Sequence, residues 1–187
     1  MKKINLLIIF TLMLGLTVLA AAGADPEGAE KVEKIFADLA AAEPSAGTSE
    51  ISITESDFNS WLAKKSLEKE YIRSIKVGFH ENNDADLSLA LDISKYKGEG
   101  YYAAMLSTMF EDHQLLEAAG KIKVVDGHFS FIINSLSINE VIVTPALVAP
   151  LISMLLPDYD LAKPMELPYG ITNVTTSEGV LRLTING

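Results

Sequence analysis

Between Thr144 and Pro157 the chain runs fourteen residues, TPALVAPLISMLLP, without a charge. A helix that is apolar all round has to be covered on every side. Such a stretch needs a wall that bends round it, a partner, or a captured apolar molecule such as an acyl chain. The strands elsewhere in the sequence point to the first of these, a sheet that curls round the helix at 144–156.

The start of the chain says where that structure is meant to work. Lys2 and Lys3 precede an uncharged stretch from Ile4 to Gly23, and Ala22-Gly23-Ala24 offers small residues where a signal peptidase cuts. Residues 1–24 read as a secretory signal cleaved after Ala24; an uncleaved anchor is the other reading of about twenty apolar residues. The sequence has no cysteine, so neither a lipoprotein anchor nor a disulfide is available in an oxidising compartment. A periplasm is the expected destination, with the cell surface or the medium as the others.

Removing residues 1–24 from the 187 leaves 163, enough for one domain with a core of its own. The expected organisation is a signal peptide at 1–24, an N-terminal helix with its linker at 25–49, and an α+β domain at 50–187. The whole chain carries a net charge of −10, and −12 once Lys2 and Lys3 are gone. That sign repels phosphate backbones and anionic bilayers. Nucleic acid is set aside as a partner, and any membrane contact is transient.

Hydrophobic spacing supplies the elements. Asp25 caps a helix that opens with Pro26 and repeats Val32, Ile35, Phe36 and Leu39 on one side, and the segment Ala41 to Ser49, with Pro44, Ser45, Gly47 and Thr48, reads as a linker that leaves it loosely attached. Ile51 and Ile53 alternate as a short strand, and Thr54 with Asp57 resembles a capping box opening a helix around Phe58, Trp61 and Leu62. Ile75, Val77 and Phe79, then Leu87, Leu89, Leu91 and Ile93, form a hairpin turned at Glu81 to Asp84. A second hairpin turns at Asp126-Gly127, with Ile122 and Val124 entering and Phe129, Phe131 and Ile133 leaving. The apolar phase then moves to Leu136, Ile138 and Ile142, which calls for a bulge near Asn134. A last hairpin joins Ile171–Thr176 to Val180–Ile185. Between the first two, Tyr102, Met105, Leu106, Met109, Phe110 and His113 fall at helical spacing. The sum is an α+β fold with a curved antiparallel sheet of about six or seven strands.

The C-terminal third carries a recognisable order: the Asp126-Gly127 turn with a Phe-rich strand, Val143-Thr144-Pro145 opening the apolar helix, Leu167-Pro168-Tyr169-Gly170-Ile171 leading into a strand, and Gly179-Val180-Leu181-Arg182-Leu183 in the last one. From Glu50 to Gly187 this resembles the LmeA-like family of exported bacterial proteins, which belongs with the tubular lipid-binding (TULIP) folds. The resemblance implies a half-barrel, a curved sheet cradling one helix, with a groove between them for acyl chains. It brings no catalytic residue.

Candidate ligand-lining positions follow from the dry faces: Leu147, Leu151, Met154 and Leu155 on the apolar helix, Phe131 on the facing strand, and Met105, Met109 and Phe110 as an adaptable lid. The same residues would serve equally as the core of a solid domain. Trp61, Tyr101 and Tyr102 suit either a bilayer interface or the margin of a core. His80, His113 and His128 lack metal spacing, and no nucleophile elbow or phosphate loop is present, so neither a catalytic residue, a metal nor a cofactor is expected. A hydrolase would have to be built on His80 with Glu81 or Asp84. The leading expectation is therefore an exported, non-catalytic binder of lipid or another long apolar molecule. A protein-interaction module of the cell envelope, with a filled core and an exposed edge strand, is the alternative.

Overall fold

A computed structural model describes residues 25–41, 47–66, 70–95, 112–144, 146–147 and 164–186. Positions 145 and 148–157 of the apolar run and the whole Tyr102–Phe110 segment lie outside these residues. What is described is an α+β fold in which all strand pairings are antiparallel.

Helix α1 (Pro26–Ala41) starts where Asp25 accepts a hydrogen bond from Glu27 N through its carboxylate and from Ala29 N through its carbonyl. Strand β1 (Thr48–Thr54) runs into α2 (Glu55–Ser66), whose first turn is capped by Thr54 Oγ1 accepting from Asp57 N at 3.1 Å. The two helices cross at Gly28, where a methyl group would sit 2.9 Å from Asp57 Oδ1 and 3.2 Å from its Cα. Lys31 pairs with Asp57 at 2.5 Å, and Glu33 takes Lys64 at 2.7 Å and Lys65 at 3.0 Å. With Val32 fully buried, α1 is a full member of the core and not the loosely held helix its linker suggests. Val32 and Leu62 each gain about 1.5–3 kcal/mol by burial, which outweighs the freedom of a short linker.

The remaining strands are β2 (Ile72–Phe79), β3 (Asp84–Asp92), β4 (His113–Val125), β5 (His128–Ile138), β6 (Val141–Ile142), β7 (Met165–Glu166), β8 (Ile171–Ser177) and β9 (Val180–Asn186). They form two sheets where the sequence suggested one. The smaller has the order β1-β9-β8, and the larger β2-β3-β4-β5-β6, with β7 on the same edge of β5 as β6. The first helix–strand pair and the last hairpin close on each other because β1 pairs along its whole length with β9, from Thr48 opposite Asn186 to Thr54 opposite Val180.

One correction changes the shape of the large sheet. His113 does not end a helix; it begins β4, which runs thirteen residues. Its even positions from Gln114 to Ile122 are buried and its odd ones face out, so period two holds where doublets such as Leu115-Leu116 blur it in the sequence. The phase change in β5 is where it was expected: Ala119 faces Ser135 and Gly120 faces Ile133, leaving Asn134 as the extra residue. Gly120 makes this possible, since a Cβ there would lie 2.4 Å from Ile132 O and 2.7 Å from Phe131 Cζ.

The main core lies between the helices, the small sheet and one end of the large one. Phe58, Trp61 and Phe79 stack through it at ring distances of 5.3 and 5.4 Å, joined by Val77, Ile122, Val174 and Leu183. Trp61 is thus a core residue and not an interface anchor. Among the described residues, no helix is long and apolar enough to cross a membrane.

Candidate functional site

The inner face of the large sheet continues beyond this core. Register fixes its rows, because residues directly opposite one another share a face. One row is Val77, Leu87, Ala118 and Leu136. The next is Ile75, Leu89, Leu116, Ile138 and Val141, crossing five strands, or about 19 Å. Leu116, Leu91 and Ile93 form a second apolar cluster, distinct from the main core, against which Tyr71, Ile72, Leu89 and Ile138 pack. Along the longer row exposure climbs from 6% at Leu116 to 70% at Val141. An apolar surface therefore leads from the interior to one edge of the sheet.

The two edges of that sheet differ. At β2, the Asn59 side chain donates to Val77 O at 2.8 Å and accepts from Val77 N at 2.7 Å, while Glu55 accepts from Phe79 N at 2.9 Å. Positions i and i+4 of α2 thus act as a substitute strand. At β5, the two-residue strand β7 covers His128 and Phe129, and β6 covers Ser137 and Ile138. Between these grips β5 has no strand partner on its outer side among the described residues.

Charged groups gather elsewhere, at the junction of the two sheets. His80 Nε2 meets Asp86 Oδ2 at 2.7 Å, and its Nδ1 lies 3.8 Å from Glu178 Oε2 on the β8–β9 turn. Thr176 donates its hydroxyl to His80 O at 2.8 Å, and Gly179 N donates to Phe79 O at 2.9 Å. Hydrogen bonding to Asp86 lifts the His80 pKa above its ordinary value, with the charges of Asp86, Glu178 and Glu55 adding to it against a smaller effect of burial. The imidazole is thereby an ion-pair clasp between sheets. It is paired with Asp86 and Glu178, not with Glu81 or Asp84 as a hydrolase reading required. Asp92, almost fully buried at the far end of β3, is held ionised by the Ser94 hydroxyl at 2.5 Å and by Arg73 at 2.9 Å. Among the described residues, no group of three or more His, Cys, Asp or Glu side chains is arranged to hold a metal ion.

Of the ligand-lining positions read from the sequence, Phe131 sits half-buried against the main core, opposite Ile122. Leu147 is 54% exposed. Met105, Met109, Phe110, Leu151, Met154 and Leu155 lie outside the described residues. The sequence reading missed Leu116 and Ala118, whose alternation with Gln114, Gly120 and Ile122 was the available signal, and Val141, which lies past the end of the Phe-rich strand.

Comparison of the chain with family models, with curated proteins and with solved structures finds no match.

Proposed function

We propose that the protein is an exported, non-catalytic carrier or sensor of lipid or another long apolar molecule, bound against the inner face of the six-stranded sheet. The observation that carries this reading is the row from Ile75 to Val141, an apolar surface that passes out of the core to an incompletely covered edge. The placing of β6 and β7 supports it. The chain leaves β5 beside Leu136, whose carbonyl accepts from Val143 N at 2.8 Å, and returns beside Phe129. Those points are about 23 Å apart along a strand. An antiparallel sheet with an uncharged run in the sequence between β6 and β7 would suit the half-barrel that the LmeA-like resemblance implies, and the basic, apolar leader fits export.

Affinity would come from area. Ten buried methylenes supply about 8 kcal/mol before the cost of association. The test is titration of the exported protein with a fluorescent long-chain fatty acid. Saturable uptake, displaced by unlabelled fatty acid and weakened as the competing chain is shortened, is the expected result. A flat titration contradicts the reading.

One observation favours the protein-interaction alternative. β1 is a seven-residue edge strand with no strand partner on its outer side among the described residues, and it carries no lysine, proline or bulge to blunt it. A peptide adding a strand there would shift the backbone amide signals of Thr48–Thr54, and the fatty-acid titration would stay flat.

A further inference from the structure

Val141 and Ile142 are 70% and 79% exposed, more than any other large apolar side chain among the described residues. They are consecutive in a strand, so they point to opposite faces, and the β6 arm of the β5–β6 hairpin is apolar on both sides. Nor is the tip frayed. Asn139 and Glu140 occupy the left-handed region at φ 48° and 67°, a two-residue turn that sets Ile138 opposite Val141. Asn139 N donates to Leu115 O at 2.8 Å, its Oδ1 accepts from Leu115 N at 2.8 Å, and its Nδ2 donates to Gln114 Oε1 at 3.0 Å. The hairpin is pinned to β4 by three hydrogen bonds and holds two β-branched apolar residues in water.

We infer that this wedge docks on a zwitterionic lipid surface, where the apolar guest enters and leaves. The inference rests on the reading of the inner face as an apolar-ligand site, because Val141 is the outermost member of that row. Charge selects the partner. From Val124 to Ala162 the sequence has no lysine or arginine, and the turn itself carries Glu140, so an anionic bilayer or an acidic protein is repelled. Size selects it too. Among the described residues the wedge offers two exposed apolar side chains, far short of the roughly 20–30 residues a side of a stable protein interface. Two aliphatic side chains suit a shallow, reversible insertion.

The experiment is flotation of the exported protein with phosphatidylcholine vesicles, and with vesicles in which part of that lipid is replaced by phosphatidylglycerol. The wild type is expected to float with the first and less with the second. Val141→Thr with Ile142→Thr keeps β-branching and is expected to lower the floated fraction at least about fivefold with the thermal midpoint unchanged, and Ile142→Thr alone, on the face away from the row, is expected to lower flotation while fatty-acid uptake in solution stays unchanged. Ile142→Trp is expected to raise flotation and to shift its emission to the blue on adding vesicles. Absence of wild-type flotation, equal flotation of the threonine pair, or a dimer in gel filtration that the threonine pair dissolves would each overturn the inference. Uptake without flotation defeats the docking surface and leaves the binding site standing; flotation without uptake does the reverse.

Discussion

At the β2 edge of the large sheet, Glu55 and Asn59 reach over from α2 and take up three backbone groups; at the β5 edge, two dipeptide strands grip the ends and apolar side chains stand in water. An uncovered edge is a template for unwanted pairing, and the first edge shows that this chain has the means to cover one. Among the described residues it does so at one side of this sheet, and on the proposed reading the other is the working side. Stability should accordingly be concentrated at the sealed edge and surface behaviour at the open one.

The sharpest way to break that division is Asn59→Leu, which leaves Val77 N–H and C=O without their partner in a part-buried place. A loss of about 3 kcal/mol is expected in urea unfolding, with Asn59→Asp intermediate because it keeps the acceptor. A change within about 0.5 kcal/mol would mean that the seal is incidental. Gly120→Ala is expected to cost about 2 kcal/mol, since its methyl meets the Ile132 carbonyl and the Phe131 ring at the bulge; the same melt reads it. A smaller effect should come from the clasp between the sheets. The folded-state pKa of His80 is raised, so its contribution is complete below about pH 6.5 and is lost as pH rises through the folded value. Wild-type thermal midpoints should fall slightly across that range, and His80→Gln should remove the slope. Smallest of all, Val141→Thr with Ile142→Thr should leave stability within about 0.5 kcal/mol. A large loss there would place the hairpin among the structural parts and erase the contrast between the edges.

The hairpins were legible because turn residues and period two agree: Asp126-Gly127 adopts φ 50° and 71°, and the shift from Ile133 to Leu136 marks the bulge at Asn134. Caps were legible for the same local reason, as Asp25 and Thr54 show. The first half of β4 was not. Gln114 to Ala119 has the leucines, alanines and glutamate of a good helix former, and only pairing with Asp84–Asp92 on one side and β5 on the other holds it as a strand. Side-chain pairing across the fold was equally hidden: nothing local ties Asn59 to Val77 or His80 to Glu178. Most of the lining expected from the sequence, on the helix at 144–156 and at Met105, Met109 and Phe110, lies outside the described residues, and the sheet face that is described has rows that depend on long-range register.

Native mass spectrometry of the protein purified from its own cell envelope bears most directly on the proposal that the inner face holds an apolar guest. The expected spectrum contains, beside the free chain, a species heavier by the mass of one lipid that is stripped by solvent extraction. A single unloaded species, together with no fatty-acid uptake by the extracted protein, would contradict it.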